Sequence, residues 1–131
     1  MQQLDGREFA AIFFGGVIGA VARVWLARHF VQGAAEWPWT IFTINISGSL
    51  ILGYFATRLR ERLPQSTYRW PLLGTGLCGA YTTFSTMQVE ILQMVEAHRY
   101  GLAGGYAISS IGGGLAAIWL ASTIVRRART L

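Results

Sequence analysis

The chain has 131 residues, of which 53% are hydrophobic and only 13% are charged. Soluble domains carry about 25% charged residues, so this composition excludes an ordinary soluble fold and predicts one membrane domain, residues 1–131, with lipid against its apolar surface. The net charge is +5 and every basic residue is an arginine. Because most of these arginines lie at the ends of apolar segments, they fit anionic lipid head groups and argue against a nucleic-acid partner.

Four apolar segments are long enough to cross a lipid bilayer, which takes about 20 residues per helix. They cover residues 9–30, 37–57, 70–95 and 100–125. A strand in lipid would leave backbone amides unpaired, and the alternating pattern of a barrel strand is absent, so each segment is predicted to be helical. The expected fold class is an all-α membrane protein with four transmembrane helices.

Short connections predict that consecutive helices run antiparallel and that both termini lie on one side of the membrane. Eight arginines share that side, and two lie on the other. Because arginine is enriched in cytoplasmic loops, this excess predicts that both termini face the cytoplasm. The first group is Arg7, Arg58, Arg60, Arg62, Arg69, Arg126, Arg127 and Arg129, and the second is Arg28 and Arg99.

Polar side chains occur within the predicted helices, where such groups usually face a partner or a water-filled path. Arg23 lies in the first segment and Asn45 in the second. Tyr106 and Ser110 lie one helical turn apart in the fourth. These residues leave two interpretations open, namely hydrogen bonding between packed helices and an ion path.

The third segment is the least regular of the predicted helices. Gly79 is a poor helix former, and nearby threonines, including Thr82 and Thr83, compete with the helix through their hydroxyl groups. A break there would free backbone carbonyls that can coordinate a cation such as Na⁺ at mid-membrane. The alternative is a continuous helix in which the threonine hydroxyls bond to preceding carbonyls.

Glycines at four-residue spacing predict close helix packing in lipid, as in the pairs Gly15 with Gly19 and Gly101 with Gly105. Four thin helices with such faces enclose little space within one chain. A second subunit is therefore expected.

No group of residues predicts catalysis. His29 and His98 lie at segment ends without a second ligand at metal-binding spacing, and Cys78 fits apolar packing. An enzyme is not expected.

Three stretches stand out as motifs: GGVIGAVAR at 15–23, NISGSLILG at 45–53 and GLCGAYTTFSTMQVE at 76–90. They resemble the signature motifs of the Fluc fluoride channels, a family also called CrcB. Helix number, loop lengths and motif order are similar along nearly the whole chain. The resemblance implies an antiparallel dimer with two narrow pores, a break in the third helix and fluoride as the transported ion.

The resemblance also implies roles for particular residues. A structural Na⁺ at the dimer centre would be held by the backbone carbonyls of Gly79 and Thr82. Hydroxyl and amide groups would offer fluoride hydrogen-bond donors in place of water, and the positive rim of a phenyl ring would attract it weakly. The implied fluoride path includes Arg23, Asn45, Thr83, Phe84, Ser85, Met87, Glu90, Tyr106 and Ser110.

Three positions depart from the family pattern. Met87 stands where a second phenylalanine is usual, Gln88 replaces a small hydroxyl residue, and Thr40-Ile41 replaces Gly-Thr. The arginine excess suits one membrane orientation, whereas an antiparallel homodimer needs both. Two assemblies are therefore retained, a homodimer and a pair with an oppositely inserted paralogous chain.

The expected function is passive, fluoride-selective conduction across the plasma (inner) membrane of a bacterium, which lowers fluoride toxicity in the cytoplasm. One alternative is a non-conducting or partly degenerate subunit of a heterodimeric channel. Another is a small multidrug-type transporter, which requires an acidic residue in its first helix. No acidic residue lies between Glu8 and Glu36, which argues against the transporter.

Overall fold

The computed structural model describes residues 5–33, 35–64, 66 and 68–128, which form helices and connecting loops without a β-strand. Within these ranges, three helices are long and apolar enough to cross a membrane. They are α1 (Gly6–His29), α2 (Trp39–Thr57), which continues into a π-helical turn, π1 (Arg58–Arg62), and α5 (Tyr100–Arg127).

The third apolar segment is divided among π2 (Pro71–Cys78), α3 (Gly79–Tyr81) and α4 (Phe84–Glu96). Pro71 has no backbone N–H to continue the usual helical ladder, and the wider π-helix begins at this residue. Thr82 (φ −79°, ψ 156°) and Thr83 (φ −145°, ψ 113°) are extended and separate α3 from α4. Gly79 itself is helical (φ −63°, ψ −37°), so the extended backbone lies after this glycine and not at it.

The start of α1 and the end of α5 each contact the region that connects the second and third segments. Arg126 pairs with Glu61 at an N–O distance of 2.7 Å, and Arg7 donates a hydrogen bond to the hydroxyl of Tyr68 at 3.2 Å. These contacts join the end of α5 to π1 and the start of α1 to the residues before π2, as expected when consecutive membrane segments run antiparallel. Arg129, which the sequence assigns to the same side, lies outside the described residues.

The opposite end of the bundle is closed by two tight connections. Ala35 and His98 have left-handed φ angles of 61° and 58°, which are uncommon for residues other than glycine. Arg99 donates from Nη1 to the carbonyl of Ala35 at 2.8 Å. This bond links the connection between α1 and α2 to the one between α4 and α5.

Close packing places α1 along π2 and α3, α2 along α5, and α4 against α5. A Cβ atom added at Gly15 would overlap the carbonyl oxygen of Leu72, and one added at Gly19 would overlap that of Leu77. Because these neighbours are backbone atoms, no side-chain movement can relieve the overlap. The glycine pair is therefore required for the contact between α1 and π2.

Large apolar side chains cover much of the outer surface. Phe13, Ile108 and Trp119 are 65%, 75% and 67% exposed, respectively. Water-soluble proteins rarely expose apolar surface on this scale, so lipid or another subunit must cover it. The fold is an all-α, multi-pass membrane protein.

Candidate functional site

Asn45, in the middle of α2, binds both polar backbone groups of Thr83. The N–H of Thr83 donates to Asn45 Oδ1 at 2.9 Å, and Asn45 Nδ2 donates to the Thr83 carbonyl at 3.1 Å. Extended backbone at Thr83 removes its N–H from the helical ladder, and Asn45 Oδ1 replaces the acceptor that this N–H loses. The Thr83 carbonyl stands at the N-cap of α4 and accepts a second bond, from the Asn45 amide. Asn45 therefore holds the break between α3 and α4 against α2.

Thr83 also caps the first turn of α4. Its Oγ1 accepts a hydrogen bond from the N–H of Thr86 at 3.2 Å and donates to Thr86 Oγ1 at 3.1 Å. Ser85 Oγ lies 3.4 Å from Thr83 Oγ1, on the exposed side of the same turn. Side-chain oxygens at this position satisfy amides that have no partner within the helix.

Arg23 reaches the other side of the break from α1. Its Nε donates to the carbonyl of Ala80 at 3.0 Å. Ala80 lies in the last helical turn before the break, where carbonyls lack partners further along the helix. Within the part of the chain that the structure describes, Arg23 forms no ion pair with a carboxylate. The guanidinium thus places a positive charge beside the break.

The extended backbone redirects two N–H groups that would otherwise bond to Gly79 and Thr82. The N–H of Thr83, the usual partner of the Gly79 carbonyl, donates to Asn45. The N–H of Thr86, the usual partner of the Thr82 carbonyl, donates to the hydroxyl of Thr83. The carbonyls of Gly79 and Thr82 are therefore released from these helical bonds.

An open cavity of about 320 Å³ lies beside the break. Seven of the residues predicted to bind fluoride or Na⁺ line it: Asn45, Gly79, Thr82, Thr83, Phe84, Met87 and Ser110. Ser110 contributes a buried hydroxyl that has no hydrogen-bond partner among the described residues. The lining residues thus include Gly79 and Thr82, whose carbonyls have left the helical ladder, and the aromatic residue Phe84.

Phe84 and Met87 line this cavity from one face of α4, but their surroundings differ. Phe84 is 68% exposed and lies on the open side of the cavity. Met87 is buried and packs in a cluster with Met94, Ala103 and Tyr106. Phe84 is thus accessible to any subunit or lipid that covers the open side of the cavity.

Tyr106 and Glu90 form a second polar group outside the cavity lining. The hydroxyl of Tyr106, which is completely buried, donates to Glu90 Oε1 at 3.3 Å. Met87 packs against Tyr106 and also lines the cavity, so it lies between the two polar groups. Gln88, one of the departures from the family pattern, is exposed.

Comparison with known proteins identifies the family. A family model described as CrcB-like protein, Camphor Resistance (CrcB), matches residues 10–122. The chain belongs to the CrcB family. This match contains all three stretches that carry the resemblance in the sequence and confirms it.

Individual members of the CrcB family are similar along most of the chain. The fluoride-specific ion channel FluC 1 of Mycolicibacterium paratuberculosis is 57% identical over 129 residues, which cover 98% of each chain. FluC 1 of Mycobacterium tuberculosis is 54% identical over 129 residues with the same coverage. FluC of Gloeobacter violaceus is 37% identical over 116 residues, which cover 86% of this chain and 91% of that relative.

Two contributors to this CrcB site were missed by the sequence reasoning. The carbonyl of Ala80 accepts from Arg23, and the ring of Trp37 packs edge-to-face against Tyr106 at a centroid distance of 5.5 Å. A backbone carbonyl has no signature in sequence. A tryptophan near the start of a membrane helix is typical of the interface and therefore carries no specific signal.

Proposed function

We propose that this member of the CrcB family is a subunit of a fluoride-selective channel in the plasma (inner) membrane of a bacterium. Its relatives are named fluoride-specific ion channels. The observation that carries the proposal is the cavity beside extended Thr83, midway along the bundle, whose mainly apolar lining includes the polar residues Asn45, Thr83 and Ser110. The free energy of a monovalent anion falls by about 2.3 kcal/mol per 100 mV when it leaves an inside-negative cell. Passive flow therefore lowers cytoplasmic fluoride without an energy source.

The proposed anion contacts replace the water that surrounds fluoride in solution. Ser110 offers a hydroxyl that has no partner among the described residues, and Phe84 offers the positive edge of its ring. Arg23 adds a positive charge beside the break. Hydroxyl and ring-edge contacts bind an anion weakly enough for release, which conduction requires.

Asn45 and Thr83 have a different role in this proposal. Both polar groups of the Asn45 amide already bind the Thr83 backbone. Asn45 is therefore a positioning residue, which keeps Thr83 extended and the cavity open. Fluoride would reach only the remaining N–H of its amide.

A structural Na⁺ fits the carbonyls of Gly79 and Thr82. Both residues line the cavity, and both carbonyls have lost the N–H groups that would bond them in a helix. Carbonyls freed at broken membrane helices are suitable Na⁺ ligands. A bound cation would supply further positive charge near the anion path.

An antiparallel dimer is the proposed assembly. The cavity is open, and Phe84 stands exposed at its mouth, so a second subunit would enclose the path and bury the ring. Met87 and the arginine excess make a paralogous partner the competing assembly. The same contacts at Thr83 and Ser110 would serve either pair.

Fluoride efflux from liposomes tests the proposal. The purified chain, alone and with a co-expressed paralogue, is reconstituted in liposomes loaded with potassium fluoride, and release is followed with a fluoride electrode after addition of valinomycin. We expect rapid fluoride release and no chloride release from matched vesicles. Release by the chain alone indicates a homodimer, and release only with the paralogue indicates a heterodimer. Vesicles that retain fluoride with every pairing contradict the proposal.

The same preparation separates the alternatives. A small multidrug-type transporter would exchange protons for organic cations and leave fluoride inside the vesicles. A non-conducting subunit would leave fluoride inside when alone and would not change the flux of a paralogue when mixed with it.

A further inference from the structure

Two buried side-chain polar atoms in the described part of the chain have no hydrogen-bond partner: Ser110 Oγ and Trp37 Nε1. Both belong to residues that flank Tyr106. Ser110 follows Tyr106 by one turn of α5, and the Trp37 ring packs edge-to-face on Tyr106 at 5.5 Å. Buried polar groups without partners are few in native proteins, and each requires an explanation.

The indole N–H of Trp37 can only donate a hydrogen bond, so an electron-rich acceptor is the partner it lacks. The ring itself is held by its neighbours. It packs edge-to-face against Phe42 at 5.4 Å and joins the cluster that contains Met87 and Tyr106. A donor fixed in an apolar environment gains more from an anion than it would in water.

The carboxylate that bonds to Tyr106 does not satisfy the indole. Glu90 Oε1 accepts from the hydroxyl of Tyr106, and neither oxygen of Glu90 bonds to Trp37. Trp37 precedes α2, whereas Ser110 lies deeper in the bundle beside the cavity. The residues that carry the two unpaired donors therefore both neighbour Tyr106, Ser110 along α5 and Trp37 through its ring.

We infer that the indole N–H of Trp37 is an additional fluoride-binding donor, located beyond Tyr106 where α2 begins. This inference rests on the proposed function, because it extends the same ion path. Fluoride would pass from Ser110 to Tyr106 and then to Trp37. The site uses one indole N–H, which belongs to a ring that packs edge-to-face against Phe42 and Tyr106.

Nuclear magnetic resonance of the indole groups tests this site directly. The protein is labelled with ¹⁵N at its five tryptophans, held in detergent micelles, and titrated with sodium fluoride or sodium chloride at constant ionic strength and pH. We expect the Nε1–H resonance of Trp37 to move with fluoride, to saturate, and to stay in place with chloride. A Trp37 resonance that is insensitive to fluoride overturns the inference.

Flux through two matched variants supplies the second readout. Trp37→Phe keeps an aromatic ring and removes the N–H, whereas Trp39→Phe removes the N–H of a neighbouring tryptophan that is 59% exposed. We expect Trp37→Phe to lower fluoride flux about fivefold or more, on the scale of one hydrogen bond, and Trp39→Phe to conduct like the unaltered protein. Equal flux in all three proteins overturns the inference.

Failure of this inference differs from failure of the proposed function. If the unaltered protein conducts fluoride while the Trp37 resonance and the Trp37→Phe flux do not change, only the inference fails. If the unaltered protein conducts no fluoride under any pairing, the proposed function fails. Should Trp37→Phe not fold, the titration of the unaltered protein still decides the inference.

Discussion

Replacing Asn45 with alanine removes two hydrogen bonds from the backbone of Thr83. The N–H of Thr83 loses its acceptor at 2.9 Å, and the Thr83 carbonyl loses one of its donors at 3.1 Å. The carbonyl keeps its place as the N-cap acceptor of α4, whereas Thr83 is buried and water cannot readily replace the acceptor of its N–H. The chain then either keeps an unpaired N–H at Thr83 or returns this N–H to the Gly79 carbonyl and closes the break.

The size of the effect follows from one N–H left unpaired and one further bond lost. A buried N–H without a partner costs about 1–3 kcal/mol and the lost bond to the carbonyl about 0.5–1.5 kcal/mol, so the broken conformation loses about 1.5–4.5 kcal/mol relative to a continuous helix. Even the lower value lowers its population about 12-fold relative to the competing conformation. We therefore expect fluoride efflux to fall by about that factor or more in Asn45→Ala.

Asn45→Asp separates the two bonds. An aspartate can still accept from the Thr83 N–H, but its carboxylate would face the Thr83 carbonyl without a proton to donate. It also places a negative charge beside the proposed anion path. We expect Asn45→Asp to abolish flux, and undiminished flux would remove Asn45 from the path.

Two measurements check the account of Asn45, namely efflux from liposomes and hydrogen exchange at the Thr83 amide. We expect a change in Thr83 exchange in Asn45→Ala. Thr57→Val is the control, because it also removes a hydrogen bond between helices, the one from Thr57 to Ser122 at 2.9 Å. Thr57 lies on the same helix as Asn45, about 18 Å further along it. The reasoning is refuted if Asn45→Ala matches this control in both flux and Thr83 exchange.

Three further predictions concern other parts of the structure. Met87→Phe should preserve or increase flux because it restores a second ring edge, and a severe loss would contradict the assignment. Gly15→Ala should prevent folding, as judged by monodisperse yield in detergent, whereas Gly112→Ala, with no atom near its Cβ, should fold normally; equal yields would contradict the packing of α1. Arg23→Gln should lower flux about tenfold by removing the charge-assisted donor to Ala80, while Arg23→Lys should retain part of it; equal fluxes in all three proteins would show that this charge is not needed.

The apolar pattern predicts the helical segments because lipid requires backbone bonds to be satisfied within each helix. The spacing of Gly15 and Gly19 predicts close packing on one face of α1, and the structure shows that the backbone of π2 is the partner on that face. These features depend on local spacing. A single sequence therefore contains enough information to identify them.

The position of the extended backbone depends on contacts that are distant in sequence. Local propensity points to Gly79, yet Gly79 is helical and the chain opens at Thr82 and Thr83. The chain opens at Thr83 and not at Gly79 because Asn45, 38 residues away from Thr83, binds the Thr83 N–H and carbonyl. Helix propensity at Gly79 contains no information about this partner.

The hydrogen-bond partners of individual polar residues could not be predicted from the sequence either. The sequence places Tyr106 and Ser110 on one helix face, but it does not show that Tyr106 bonds to Glu90 on a neighbouring helix. Nor does it show that the guanidinium of Arg23 donates a hydrogen bond to the backbone carbonyl of Ala80. The chemistry of the site was predictable by residue type, whereas the pairing of donors with acceptors required the fold.

The most direct test of fluoride selectivity is the reversal potential of the reconstituted protein in a planar bilayer. One side contains tenfold more sodium fluoride than the other, and gluconate balances the ionic strength. A fluoride-selective path predicts zero current near the Nernst potential, about 59 mV for a tenfold gradient at 25 °C, and no change when chloride replaces gluconate. A reversal potential near zero, or one that follows chloride, contradicts the proposal that buried donors in the cavity replace the hydration shell of fluoride.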